Sequence, residues 1–339
     1  MKRVIQIAVG IMFSVIFAYL AIRGIRWDQF FTTLQHNKDW WYLLPSVLLF
    51  MASFIFRSVR WHYLLEPVKE IKFPKLFSGV MIGYMGNNVL PVRLGEILRA
   101  YVIGRSAGIS KSAGFATIVV ERLVDIIGLL VFMLIAVLGV NLPERYHTII
   151  LLVGLASIVL LLFFFFLTFY EQYTYRILER LFGFLPELLA EKATAITQSF
   201  VQGLRSLKHA RNYGRIFFHT MMIWTVYALS AYFLIKAFHF DDLYDMHFIA
   251  GIVIFLIGTI GVMIPSSPGY IGTFHYAIIQ ALALYGVPDE AALGFAIVMH
   301  LTNYIPITAL GLFFFLREGF RFEDISEAAG KKPDHPKIK

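Results

Sequence analysis

Arg93, Arg99 and Arg122, together with Glu96, Glu121 and Asp125, put six ionisable side chains into an otherwise apolar stretch, Gly79 to Gly128. A charge at membrane depth costs at least ~2.5–3.5 kcal/mol on insertion scales, so such residues need partners or a wet cavity. Arginine supplies a planar fork of donors suited to a phosphate or another anionic headgroup. A neighbouring carboxylate balances or relays that charge. Asn87, Asn88 and the turn at Pro91 break the apolar run beside them and leave backbone groups free for a ligand. Three charges of each sign also permit a neutral buried network. Two readings stand together: the six lock a helical hairpin to a long helix, or Arg93 and Arg99 hold an anionic headgroup.

The elements that must position these groups follow from spacing. Glu121 and Asp125 are four residues apart and share one helix face, and Arg122 lies three residues before Asp125. Their span is predicted over 113–140, which places Glu121 ~12 Å along a helix of ~42 Å. Glu96 and Arg99 are likewise three apart. Gly79 and Gly83 form a GxxxG that favours close helix packing. Spacing alone leaves open which acid pairs with which arginine.

The rest of the chain reads as membrane protein. Of 339 residues 58% are hydrophobic and 15% charged, and mean hydropathy is +0.70, which excludes an ordinary soluble domain. Cysteine is absent, which removes disulfides, thiolate metal sites and cysteine nucleophiles. Full spans are predicted at 4–22, 41–57, 113–140, 148–168, 215–238 and 291–316, the first uncleaved. The regions 76–106 and 248–286 are broken near their centres by Asn, Pro and Gly and are predicted as helical hairpins. The fold class is therefore an all-α polytopic membrane protein with about six full spans and two re-entrant hairpins, inverted-repeat-like in arrangement. With both termini cytoplasmic, the cytoplasmic side collects Lys2, Arg3, five basic residues in 57–75, four in 91–111, seven in 171–215 and six from Arg317 onward. The outer side holds Arg23, Arg26, Lys38, Arg145 and Lys236, as the positive-inside rule requires. The first hairpin then enters from the cytoplasm and the second from outside, an arrangement that builds a central site near the midplane.

The second hairpin carries Pro265, Ser266, Ser267, Pro268, Gly269 and Gly272, followed by His275. Prolines and glycines end one half-helix and permit a reversal, and the next is predicted to start near Gly272 with its N–H groups aimed into the membrane. A purely structural kink is the alternative. His300 and Asn303 are expected to be packing groups, and Asp241 and Asp242 a solvated outer pair. Residues 171–210 repeat apolar positions at helical spacing among charges, which suits amphipathic helices on the cytoplasmic surface or a hairpin packed on the protein. The tail is polar and predicted disordered. The sequence carries no HExxH, phosphate-loop or Gly-x-Ser-x-Gly signature and no visible nucleotide site. No catalytic residue, metal, cofactor or nucleic-acid partner is predicted.

NNVLPVRLGEILRA (Asn87 to Ala100), ERLVD (Glu121 to Asp125), PSSPGYIG (Pro265 to Gly272) and Gly-Val-Pro at 286–288 occur in this order. In that combination the chain resembles the membrane domain of the lysylphosphatidylglycerol synthase family, over essentially everything up to about residue 318. The resemblance implies a flippase-like domain over 1–318 and a basic tail over 319–339, without the soluble aminoacyl-transferase domain of the full synthases. It also implies membrane lipids as partners, of phospholipid or polyprenyl-phosphate type, in a prokaryotic cytoplasmic membrane. On that similarity Asn87, Asn88, Arg93, Glu96, Arg99, Glu121, Arg122 and Asp125 would line the polar cavity. Competing expectations are an intramembrane transferase using a lipid-phosphate donor, or a scaffold for a partner lipid-modifying enzyme.

Overall fold

The computed structural model describes residues 12, 15–36, 39–90, 94–140, 212–264 and 267–321, with parts of 148–162. Every regular element among them is helical. Pro91, Arg93, Pro265, Ser266, the amphipathic segment 171–210 and the tail beyond 321 lie outside the described residues, as do parts of the predicted spans 4–22 and 148–168.

The longer helices are α1 (Trp27–His36), α2 (Leu43–Leu65), α3 (Phe73–Val89), α4 (Gly95–Ala107), α5 (Lys111–Gly139), α6 (Tyr213–Ala237), α7 (Phe248–Met263), α8 (Thr273–Ala283) and α9 (Asp289–Arg317). Local chemistry sets several ends. Pro74 opens the first turn of α3, where a missing N–H is harmless. Gly108 closes α4 in the left-handed conformation, and the Ser110 hydroxyl accepts from the Ala113 N–H to cap α5. Gly272, at φ +89°, turns the chain into α8, which begins where the sequence predicts.

Two halves repeat one order of elements. A long helix (α2, α6) is followed by a hairpin of short helices (α3/α4, α7/α8) and then by a 29-residue helix (α5, α9). The two halves interlock. α2 packs along α6, and each hairpin leans on the long helix of the opposite half, α3 against α9 and α7 against α5. Paired positions along α2 and α6 run antiparallel: Ser46 meets Ser230, Phe50 lies tilted against Tyr227, and Arg60 meets Thr220. At the first of these, each serine hydroxyl donates 2.9 Å to the other's carbonyl. Such reciprocal bonds satisfy both groups in an apolar setting.

Close backbone contact needs small residues. The first hairpin closes because Gly83 faces the Arg99 stem, where an added Cβ would lie 2.8 Å from the Arg99 Cβ, and because Gly95 abuts the Gly83 carbonyl and the Asn87 N–H. Three helical segments, Trp40–Leu65, Tyr213–Ala237 and Asp289–Arg317, have the length and composition to cross a membrane. Large apolar side chains such as Leu44, Leu48, Leu134, Leu138, Phe313 and Leu316 face outward, as they do where a surface meets lipid.

The second predicted span requires correction. The sequence reading ends it at residue 57 and gives Arg57 and Arg60 to the cytoplasm, but α2 continues to Leu65 and buries both arginines. Carboxylates on α5 pair with both.

Candidate functional site

The site is built where α2, α3, α4, α5 and α6 converge. Glu121, nearly three turns into α5, is fully buried, and its carboxylate gathers four guanidinium groups. Its Oε1 accepts from Arg57 Nη1 at 2.9 Å and lies 3.6 Å from Arg60 Nη2 and 3.4 Å from Arg122 Nη2. Its Oε2 accepts from Arg99 Nη2 at 2.8 Å, and Arg99 Nη1 reaches Oε1 at 3.2 Å, which completes a two-toothed clasp. One turn on, Asp125 meets Arg57 at 3.0 Å, Arg60 at 2.7 Å and Arg122 at 3.2 Å. The Arg60 approach is close yet poorly aligned, since neither atom completes a hydrogen bond; we read it as an ion pair. Glu96, opening α4, pairs with Arg122 at 3.3 Å.

Aromatic and hydroxyl groups finish the lining. The Arg99 guanidinium lies 3.7 Å from the centre of the Trp61 ring, and Trp61 Nε1 donates to Thr117 Oγ1 at 3.0 Å. Arg60 donates to Thr220 Oγ1 at 3.0 Å, Arg57 to the Tyr227 hydroxyl at 3.4 Å, and Arg122 to the Tyr84 hydroxyl at 3.2 Å. Even so, Nε of Arg57, of Arg60 and of Arg99 is buried without a hydrogen-bond acceptor.

Exposure is graded across the cluster. Side chains of Arg60 and Glu121 are 0% exposed and Arg99 2%, whereas Asp125 is 15%, Glu96 25% and Arg122 36% exposed. The cluster therefore has a sealed layer of three arginines around one acid and an accessible rim of one arginine and two acids.

Of the sequence-predicted residues, the structure brings Glu96, Arg99, Glu121, Arg122 and Asp125 into this network. It also pairs Arg122 with Asp125, one of the pairings the spacing allows, and with Glu96 and Glu121. The expected three-to-three balance becomes four arginines to three acids among the described residues: α2 adds Arg57 and Arg60, and Arg93 lies outside the count. Asn88 stands apart, donating to Thr308 Oγ1 at 3.0 Å, while Asn87 Oδ1 is buried without a donor. In the second hairpin, Ser267, Pro268 and Gly269 form the tip. An added Cβ on Gly269 would lie 3.8 Å from the Asn88 carbonyl oxygen and 3.1 Å from the Tyr304 ring, so the two tips meet there. His275 lies off the charge cluster, stacked on His300.

Sequence reasoning missed Arg57, Arg60, Tyr84 and Tyr227. A signal was present: the apolar pattern continues from Ser58 to Leu65 through Val59, Trp61, Tyr63 and Leu64, too apolar for a solvated loop.

A helical protein with apolar membrane-length helices and a charge cluster held among them is a membrane protein of the polytopic class. The chain belongs to the family described as the lysylphosphatidylglycerol synthase TM region, which it matches over residues 5–311. Among its relatives, a UPF0104 membrane protein of Methanothermobacter thermautotrophicus is 24% identical over 82% of this chain and 84% of its own length. A UPF0104 membrane protein of Pyrococcus horikoshii is 25% identical over 88% of this chain and 91% of its own. Glycosyltransferase AglD of Haloferax volcanii is 23% identical over 75% of this chain, a match covering 45% of that protein.

Proposed function

We propose that the protein moves a phosphate-bearing lipid headgroup between leaflets while the acyl chains remain in the bilayer. The observation that supports this reading is the excess of one positive charge, among the described residues, in a cluster whose inner layer is buried and whose rim is accessible. One anionic group would neutralise that excess. The accessible rim at Arg122, Glu96 and Asp125 is where it would enter, and the unmatched Nε groups behind the rim are donors it would meet on passing inward. In this reading 1–318 is the translocating domain, both termini are cytoplasmic, and the hairpins re-enter from opposite sides of a prokaryotic cytoplasmic membrane. Arg93, six residues before Arg99 in the sequence, is assigned the same donor role.

The test is a liposome assay in which fluorescent phosphatidylglycerol is bleached from outside. Wild-type protein is expected to expose the inner-leaflet pool. Arg122→Ala is expected to slow this about 10- to 100-fold, the loss of one charge-assisted contact of ~1.5–3 kcal/mol. Equal rates for wild type and Arg122→Ala would remove the headgroup role, and an inert wild-type protein would remove transport.

The relative named as a glycosyltransferase favours a second reading, transfer from a polyprenyl-phosphate or phospholipid donor. Product formed from a labelled donor by purified protein would support it.

A further inference from the structure

Translocation without a nucleotide site is passive or draws on an ion gradient, and a proton-coupled protein needs a group free to take a proton. Glu121 and Asp125 are poorly placed for this. Protonating either would withdraw a negative charge from three or four guanidinium groups at once.

A different pair stands outside that network. His275 on α8 and His300 on α9 stack with ring centres 4.8 Å apart and planes 15° from parallel, both half-buried. Their ring neighbours are Phe274, 5.4 Å from His300, and Tyr304, 5.5 Å from His300. His239 and His247 lie 3.4 and 3.1 Å from Asp39 and Asp245, but no described carboxylate lies at ion-pair distance from His275 or His300.

Charged groups on the packed elements face elsewhere. Arg57 and Arg60 of α2 turn to Glu121 and Asp125, Tyr84 of α3 to Arg122, and Lys75 of α3 to the Ser106 carbonyl. Lys236 of α6 turns to Asp241, and Arg26, just before α1, to Glu290. α7 carries no titratable side chain; α8 carries Tyr276, and α9 carries Tyr304 one turn from His300, with Asp289, Glu290 and Arg317 at its two ends. A proton on either ring would therefore be an unpaired charge beside another imidazole, among apolar walls. Such a charge favours any conformation that brings the ring to water.

The stack is also mechanically connected. His300 contacts Tyr304 one turn on, and Tyr304 lies against Gly269, which abuts the Asn88 carbonyl at the contact between tips. We propose that the His275–His300 pair is a proton-binding site whose occupancy separates the two hairpin tips and so couples headgroup movement to a proton. This rests on the translocase reading for its transport consequence but not for the protonation itself.

Two measurements test it. In liposomes held at about pH 8 or about pH 5.5, wild-type lipid movement is expected to be about tenfold faster at the acidic value, across the range where histidine titrates. His275→Phe/His300→Phe keeps a ring stack without a titrating nitrogen and is expected to run at one rate at both values. Wild-type pH dependence retained in that variant would overturn the proposal, as would a wild type indifferent to pH.

The second measurement needs no transport. The chain has no cysteine, so Val89→Cys and Ile271→Cys, exposed residues at the two tips, take spin labels specifically. The inter-label distance in nanodiscs is expected to lengthen on acidification with the histidines present and to stay fixed with both replaced. An unchanged distance in the wild-type background overturns the proposal. A wild type that lengthens yet moves no lipid overturns the translocase reading and leaves the proton site standing.

Discussion

Replacing Glu121 with Gln keeps the side-chain shape and removes the one charge that four arginines share. Arg57, Arg60 and Arg122 would retain Asp125 at 2.7–3.2 Å, and Arg122 would also retain Glu96. Arg99 would keep only an amide and the Trp61 face, inside a side-chain environment 2% exposed. Breaking a buried pair by deleting one partner costs ~3–5 kcal/mol, because the surviving charge stays desolvated. We expect Glu121→Gln to lose that much, read as a lower midpoint in denaturant unfolding from mixed micelles and as a lower Tm. Glu96→Gln is the internal control, since both partners reach solvent and such a pair contributes ~0–1 kcal/mol. Adding Arg99→Met to Glu121→Gln is expected to recover ~1–2 kcal/mol by removing the stranded charge. The reasoning is refuted if Glu121→Gln unfolds with wild-type stability, or if Glu96→Gln costs as much.

Other expectations follow from packing. Gly95→Ala would push a methyl into the Gly83 carbonyl and Asn87 backbone, so the first hairpin is expected to lose about 3 kcal/mol or more. Gly214→Ala, with open space around it at the start of α6, is expected to be neutral or to stabilise by up to ~1 kcal/mol. Ser46→Ala and Ser230→Ala are each expected to cost ~1 kcal/mol, with the double variant costing less than their sum because both bonds belong to one reciprocal pair. Unfolding curves check all three.

What the sequence made legible was local, and what it hid was tertiary. Both hairpins could be read because Asn, Pro and Gly interrupt apolar runs at the chain itself, and Arg122 could be seen as within reach of Asp125 because three residues along a helix is a neighbour distance. Arg57 and Arg60 were hidden because their partners lie 60 or more residues away. A basic residue near the end of an apolar run is assigned to water unless a distant acid is known to claim it. The same reason hid the His275–His300 stack, since two histidines 25 residues apart reveal nothing until α8 and α9 fold together. This bears on the charge asymmetry used to orient the chain. With Arg57 and Arg60 withdrawn into the core, the connection after α2 still carries Lys69 and Lys72, with Lys75 in the first turn of α3, and the outer side gains nothing. The orientation argument survives the correction. The neutrality argument does not, because the two withdrawn arginines tip the count to positive among the described residues, and the proposed anionic headgroup rests on that surplus.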